Sequence, residues 1–266
     1  ACQGVEGAYS QIACDKLFRQ ASITYFRTWE GVFQAVDKGL CRYGVLPIEN
    51  STAGSVNQVY DLMNRYRFHI ARGVRLRVEH TLLAHPGVTL GEITEVYSHE
   101  QAIQQCGHFL KDHPSIKVHV CENTAAAARM VAQSQRRDVA AISSRDCGAL
   151  YGLTVLEDGI QDNANNYTRF ICISKELEIY PGANKTSMML SIPHKPGSLY
   201  QIISKFASLD LNLTKLESRP IPGKDFEFMF YFDIDASIYA PETVELVAQL
   251  DEELERFTYL GSYLEQ

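Results

Sequence analysis

The first 180 positions alternate short β-rich apolar runs with stretches in which apolar residues recur every three or four places. Residues 23–26 and 43–48 read as strands. Residues 30–38 have helical spacing, with Val32, Phe33 and Val36 on one face. The strand at 43–48 runs into the polar Glu49-Asn50-Ser51. Gly54 and Ser55 then precede a helix carrying Val56, Val59, Tyr60 and Met63. Further strands are predicted at 74–83, 95–98, 117–121, 139–142 and 168–174, with helices at 101–110 and in the Ala-rich stretch 124–133. This alternation predicts an α/β fold with a mostly parallel sheet buried between helices. Pro181 and Gly182 mark its end.

The remaining residues follow a β-α-β-β-α-β order. Strands are predicted at 186–192, 211–218, 226–234 and 257–264, the middle two joined by the Pro-Ile-Pro-Gly of residues 220–223. A helix at 199–209 follows Pro196-Gly197 and places Leu199, Ile202, Ile203 and Phe206 on one face. A second at 241–254 opens on Pro241 and acidic residues, both favoured in a first turn. This is the ferredoxin-like split β-α-β arrangement.

Charge narrows the range of partners. The net charge is -7; residues 180–266 carry 7 Lys/Arg and 13 Asp/Glu, leaving 18 and 19 for the first 179. Nucleic-acid binding depends on dense positive charge and is not expected. The densest basic stretch, Arg65, Arg67, Arg72, Arg75 and Arg77, reads as a solvated edge strand or a small anion pocket. No apolar run approaches the ~20 residues of a membrane span. The seven Cys are scattered without a C-x-x-C pair, so reduced thiols in a cytoplasmic protein are expected rather than disulfides or a zinc site. The chain opens at Ala1 without Met, running into a glycine turn, and a preceding segment is expected.

Polar side chains cluster where predicted strands end, the usual place for ligands in open α/β sheets. Four such segments are residues 47–54 (including Glu49-Asn50-Ser51-Thr52), residues 97–106 (Ser98 and His99 through Gln105 and Cys106), residues 121–125 (Glu122-Asn123-Thr124) and residues 162–170, ending Asn166-Tyr167-Thr168-Arg169-Phe170. With the opening Gly4-Val5-Glu6-Gly7-Ala8-Tyr9-Ser10, they resemble prephenate dehydratases, for which Asn-x-Thr-Arg-Phe is the most specific signature. Pro196-Gly197-Ser198-Leu199 and Glu217-Ser218-Arg219-Pro220 resemble the ACT domain of phenylalanine-regulated members. The resemblance covers essentially the whole chain.

The resemblance implies a two-lobed catalytic region of residues 1–178, like type 2 periplasmic binding proteins, with one lobe at about 1–78 plus 160–178 and the other at about 79–159. It implies an ACT regulatory domain at 183–266. The implied reaction is dehydration and decarboxylation of prephenate to phenylpyruvate in phenylalanine biosynthesis, with no cofactor and no metal. Thr168 takes the role of proton donor, and Asn50, Ser98, Gln105 and Glu122 join it in catalysis. Ser51, Thr52, Thr124, Asn166, Arg169 and Phe170 are implied substrate contacts, and Gly197, Ser198, Leu199, Asn212, Glu217 and Ser218 an allosteric phenylalanine site shared between subunits of a homodimer or homotetramer.

The residues themselves leave alternatives. Asn50, Ser51, Glu122 and Thr124 are also helix- or turn-capping types. Gln105 reads equally as an exposed helix residue, and Phe170 as plain core. Arg169 is suited to gripping a carboxylate, yet adjacent strand residues face opposite ways, which sets it against Thr168. His99 is not spaced as a metal ligand, and Cys106 reads as buried rather than nucleophilic. Arogenate dehydration and a non-catalytic amino-acid sensor remain rival readings. In relatives this pair of domains often follows a chorismate mutase domain, and such a domain upstream is a further expectation.

Overall fold

The computed structural model describes every residue except Pro222 and Phe226. The predicted strand start at 226 and part of the predicted 220–223 connection therefore lie outside the described residues. The chain begins with β1 (Cys2–Gln3), α1 (Tyr9–Leu17), β2 (Tyr25–Phe26), α2 (Trp29–Asp37), β3 (Tyr43–Asn50), β4 (Gly54–Ser55), α3 (Asn57–Tyr66) and β5 (His69–Arg77). It crosses into a second lobe of β6 (Thr81–Ala84), β7 (Glu95–His99), α4 (Glu100–Gln105), α5 (Gly107–Asp112), β8 (Lys117–Cys121), α6 (Thr124–Gln133), β9 (Val139–Ser143), α7 (Arg145–Tyr151) and β10 (Thr154–Glu157). It returns to the first lobe as β11 (Tyr167–Ser174). The C-terminal unit is β12 (Lys185–Ser191), α8 (Ser198–Ser208), β13 (Leu213–Pro220), β14 (Phe228–Ile234), α9 (Pro241–Glu253) and β15 (Phe257–Tyr263), the βαββαβ order expected from the sequence.

The three sheets run β2-β1-β3-β11-β5 with β4 on β3, then β10-β6-β9-β7-β8, then β13-β14-β12-β15. The first two are mixed rather than mostly parallel. β1, β2 and β3 are parallel, but β11 runs antiparallel to both β3 and β5, because the chain that leaves along β5 comes back beside it. In the second lobe β7, β8 and β9 are parallel while β6 and β10 are antiparallel additions.

Two predicted elements divide. The strand expected at 74–83 becomes β5 and β6, in different sheets, because residues 78–80 form a crossing between lobes. There the Val78 N–H donates to the Asn166 carbonyl at 2.8 Å, and the Ile160 N–H to the His80 carbonyl at 3.0 Å. The helix expected at 101–110 breaks at Cys106 (φ -114°, ψ 32°), because the Asp162 carboxylate accepts from the Gly107 and His108 N–H groups at 3.0 and 2.9 Å and starts a new helix there. Helices α1 and α7 and strand β10 were not anticipated from the pattern.

Local chemistry fixes the boundaries that matter for the cleft. Helix α2 starts where the Thr28 side chain accepts from the Gly31 N–H, and α6 where Asn123 accepts from the Ala126 N–H. Gly7 sits at φ 86°, and a Cβ there would lie 2.9 Å from Cys147 Sγ. This glycine lets the loop after β1 lie directly on α7 of the other lobe.

The C-terminal sheet packs on both faces, although its outer strand β13 leaves alternate residues exposed. Met188, Leu190, Phe232 and Ile234 pack on α8 and α9 with Phe206 and Leu246. Met189, Met229, Tyr231 and Tyr263 face the other way and join the first lobe's core of Ile48, Tyr60, Ile70 and Ile171. Each such fully buried side chain contributes about 1.5–3 kcal/mol, so the C-terminal unit is fused to the first lobe rather than tethered to it. The chain's end extends this seam along the edge of β5: Gly73 N–H donates to the Leu264 carbonyl (3.0 Å), Arg75 N–H to the Gln266 carbonyl (2.8 Å) and Gln266 N–H to the Gly73 carbonyl (3.1 Å). All seven cysteines are free thiols. No helix among the described residues is long and apolar enough to cross a membrane.

Candidate active site

A cleft of about 490 Å³ opens between the lobes. The first lobe contributes Asn50, Ser55, Thr168 and Phe170; the second contributes Gln105, Glu122 and Thr124; His80 joins them from the crossing segment. Thr168 and Phe170 line the cleft because they are two apart on β11 and share a face, which excludes Arg169. Among the described residues lining the cleft there is no Lys or Arg. The N-termini of α1 and α3 open on it without a side-chain cap, which presents the positive end of each helix to an anion.

One hydrogen-bonded chain spans the cleft floor. The Asn50 carboxamide oxygen accepts from the Thr52 and Ala53 N–H groups at 3.0 and 2.8 Å, so its nitrogen must face the other way. That nitrogen donates to Thr168 Oγ1 at 2.9 Å and to Asn166 Oδ1 at 2.8 Å. Asn166 Nδ2 then donates to Gln105 Oε1 at 2.9 Å, and His80 Nε2 lies 2.8 Å from the same oxygen. Each amide orientation follows from its neighbour, starting from the two backbone donors. Thr168 Oγ1 already accepts from Asn50, so its own O–H is free to point into the cleft. Gln105 Oε1 is doubly occupied, which turns the Gln105 amide N–H groups outward.

Other predicted residues fall elsewhere. Ser98 does not reach the cleft: it is fully buried and its hydroxyl donates to the Ile142 carbonyl at 2.6 Å, tying β7 to β9. It shares the inward face of β7 with Val96, so the expected meeting with Gln105 does not occur. Ser51 braces the turn, its hydroxyl donating to the Asn165 carbonyl (3.0 Å) and accepting from the Tyr167 N–H (2.9 Å). Thr52 and Asn166 line a smaller neighbouring cavity of about 220 Å³ behind the amide chain. The cap of α6 is Asn123, not Glu122 or Thr124, leaving both of those side chains for the cleft. His99 caps α4 by accepting from the Gln101 N–H at 3.3 Å. Burial pushes the Cys106 thiol up to about 12.

Arg169 turns away from the cleft into the seam with the C-terminal sheet. Its guanidinium donates to Asp233 (2.5 Å), to the Tyr263 hydroxyl (2.6 Å) and to Glu265. Burial opposes its charge, but Tyr263, Asp233 and Glu265 outweigh burial and raise its pKa. A substrate contact by Arg169 is therefore replaced by a structural ion cluster. The basic stretch on β5 is likewise engaged: Arg75 pairs with Glu265 at 2.8 Å, and Arg72 donates to the Leu17 carbonyl at 2.7 Å.

The residues predicted for an amino-acid site divide. Gly197, at φ 83°, precedes α8, and Ser198 and Leu199 line a cavity of about 120 Å³ with Phe228 and Phe230. Glu217 instead accepts from Ser55 of the cleft wall and lies 3.5 Å from Lys215, so it is not free to meet a ligand's ammonium group. Lys215 also reaches Glu49 at 2.7 Å. Asn212 and Ser218 are exposed, on or beside β13, the outer strand of its sheet. Sequence reasoning missed His80. Its signal was a histidine set within the otherwise strand-like 74–83 run.

A family model described as prephenate dehydratase matches residues 1–178. This chain belongs to the prephenate dehydratase family. Membership makes it a lyase-type dehydratase. A chloroplastic arogenate dehydratase/prephenate dehydratase 6 from Arabidopsis thaliana is 38% identical over 281 residues, covering 99% of this chain and 68% of the relative. A prephenate dehydratase from Arthrobacter aurescens, solved in complex with L-Phe, superposes with TM-score 0.88 at 29% identity, covering 98% of this chain and 88% of that one. A protein described as a quorum-quenching acylase, GqqA, shares the architecture with TM-score 0.88 at 28% identity, covering 100% of this chain and 97% of that one. Family and architecture thus agree with the resemblance read from the sequence.

Proposed function

We propose that the protein converts prephenate to phenylpyruvate in the cleft of residues 1–178, and that residues 183–266 bind L-phenylalanine as feedback inhibitor. The observation that carries this reading is Thr168 in the cleft lining, its Oγ1 accepting from the neutral Asn50 amide at 2.9 Å and its own O–H without an acceptor among the described residues. Prephenate loses its ring hydroxyl and carbon dioxide together, leaving an aromatic ring, so the protein's task is to help the hydroxyl depart. The Thr168 O–H donates to that oxygen. The Asn50 N–H already on Thr168 Oγ1 stabilises the negative charge growing there, and such donors act strongly where water is excluded. The Gln105 amide N–H groups steady the same end of the substrate. Ser51, Thr52 and Asn166 hold the turn that aims Asn50. The uncapped starts of α1 and α3 hold the side-chain carboxylate without a cation. A nearby cation would also have stabilised the ring carboxylate, which must instead be left free to leave as carbon dioxide. Glu122 and Thr124 close the second-lobe side.

The regulatory reading rests on Gly197, Ser198 and Leu199 standing beside an apolar pocket at the start of α8, and on the L-Phe complex of the Arthrobacter relative. In one chain Asn212 does not line this pocket, and Ser218 stands exposed on the outer strand opposite Phe230, which favours a site completed by a second copy in a homodimer or homotetramer. The free thiols suit the cytoplasm. The arogenate alternative is kept because the name of the 38% identical plant relative gives both substrates. Phenylpyruvate formation from prephenate, against phenylalanine formation from arogenate, each with and without added L-phenylalanine, tests both. Absence of turnover on either substrate would overturn the reading. Gly197→Val is expected to keep turnover and lose inhibition. Among the described residues, chain neighbours aside, no atom lies within 4 Å of a Cβ placed there, so the damage comes from its left-handed φ of 83°. Undiminished inhibition in that variant would remove the site.

A further inference from the structure

We infer that His80 is a positioning residue of the dehydration site, a buried imidazole whose Nε2–H holds the Gln105 carboxamide in the one orientation that turns its N–H groups toward the substrate. The inference rests on the proposed reading of the cleft, and three observations carry it.

The first is the polarity of the amide chain. The Thr52 and Ala53 N–H groups fix the Asn50 oxygen. The Asn50 nitrogen fixes the Asn166 oxygen, and the Asn166 nitrogen fixes the Gln105 oxygen. The group 2.8 Å from that oxygen must therefore be a donor, so His80 carries its proton on Nε2. The opposite tautomer would flip Gln105 and then Asn166, and set the Asn166 nitrogen against that of Asn50.

The second observation comes from the other side of the ring. His80 Nδ1 is buried with no hydrogen-bond partner among the described residues. An unpaired buried acceptor is tolerated more readily than an unpaired N–H, which points to the same tautomer independently. His80 is 2% exposed, and burial lowers its pKa, so the ring stays neutral and adds no charge to the cleft.

The third is location. His80 lies on the first crossing between lobes and is tied by its backbone to the second: its N–H donates to Gln161 Oε1 at 2.8 Å, and its carbonyl accepts from Ile160 at 3.0 Å. The imidazole thus links the hinge to Gln105 at the end of α4, while Asn166 links Gln105 back to the first lobe. Without His80, Gln105 Oε1 keeps one donor instead of two, and its carboxamide can rotate.

The test uses the intact chain. His80→Leu is expected to lower kcat about tenfold while KM stays within about threefold, the scale of one lost orienting hydrogen bond. His80→Gln, which can place an N–H near the position of Nε2, should recover most of the loss. Combined with Gln105→Ala, the His80→Leu change should add nothing further, because both act through one carboxamide. Wild-type kcat in His80→Leu, or independent losses in the double variant, would overturn the inference. If His80→Leu fails to fold, ring-nitrogen NMR of the wild-type protein still decides: an Nε2–H tautomer supports the role and an Nδ1–H tautomer removes it. That spectrum does not depend on turnover, so a chain inactive on both substrates would sink the dehydratase reading separately from the tautomer.

Discussion

The two faces of β11 carry polar networks built on different physics. On the cleft face Thr168 ends a chain of neutral amides closed by a neutral imidazole. On the opposite face, one residue along, Arg169 sits among Asp233, Glu265 and Tyr263 with full charge. Under the proposed function, a cleft that takes a dianion and releases one carboxylate as carbon dioxide is served by oriented dipoles, which discriminate between ends of a substrate. A seam between two units is served by buried charge, which tolerates no missing partner. The strand alternation that separates Thr168 from Arg169 lets one segment do both.

The sharpest way to break the first network is Thr168→Ala. Loss of a positioned acid is expected to lower kcat by about 10²–10⁴-fold with the unfolding midpoint close to wild type; near-normal kcat would remove Thr168 from the chemistry. Breaking the second, Arg169→Leu takes the cation from the buried Asp233 carboxylate, while Glu265 keeps Arg75 and Lys185, and should cost about 3–5 kcal/mol of stability, read by urea unfolding. A variant with unchanged midpoint and a raised KM would return Arg169 to the substrate. A smaller effect comes with pH. Burial depresses the pKa of His80 in the folded chain, so the unfolded chain takes up a proton that the folded one refuses. Stability should be full above the ordinary imidazole pKa and fall as pH drops from there through the folded-state value. His80→Gln should flatten that slope. Smallest is Arg219→Ala, which removes a two-pronged pair to half-exposed Asp61 at 2.9 Å and is expected to cost about 1 kcal/mol or less.

Local pattern foretold most elements, including Lys117–Cys121 and Thr124–Gln133 to the residue. It failed where tertiary contacts decide. The split of 74–83 depends on a crossing held by Asn166 and Ile160, and the break at Cys106 on Asp162, both distant in sequence. At the site, Thr168 was legible because its Asn-x-Thr-Arg-Phe motif is specific, Asn50 and Gln105 only through the family resemblance of their segments, and strand alternation already set Arg169 against Thr168. Ser98 was misread because a buried serine tying two strands looks, in sequence, like one at a strand end. His80 was invisible because its role comes from the direction of hydrogen bonds around it, which no spacing encodes.

The pairing of residues 264–266 with β5 has a practical corollary. That short tail is what seals the outer edge of the first lobe's sheet, and Glu265 within it carries one of the carboxylates on Arg169. Proteolytic clipping after Tyr263 would bare a row of unpaired backbone groups and take one of two carboxylates from the buried Arg169 in one cut, and naked strand edges template aggregation. A nicked preparation should therefore precipitate on storage rather than lose activity gradually.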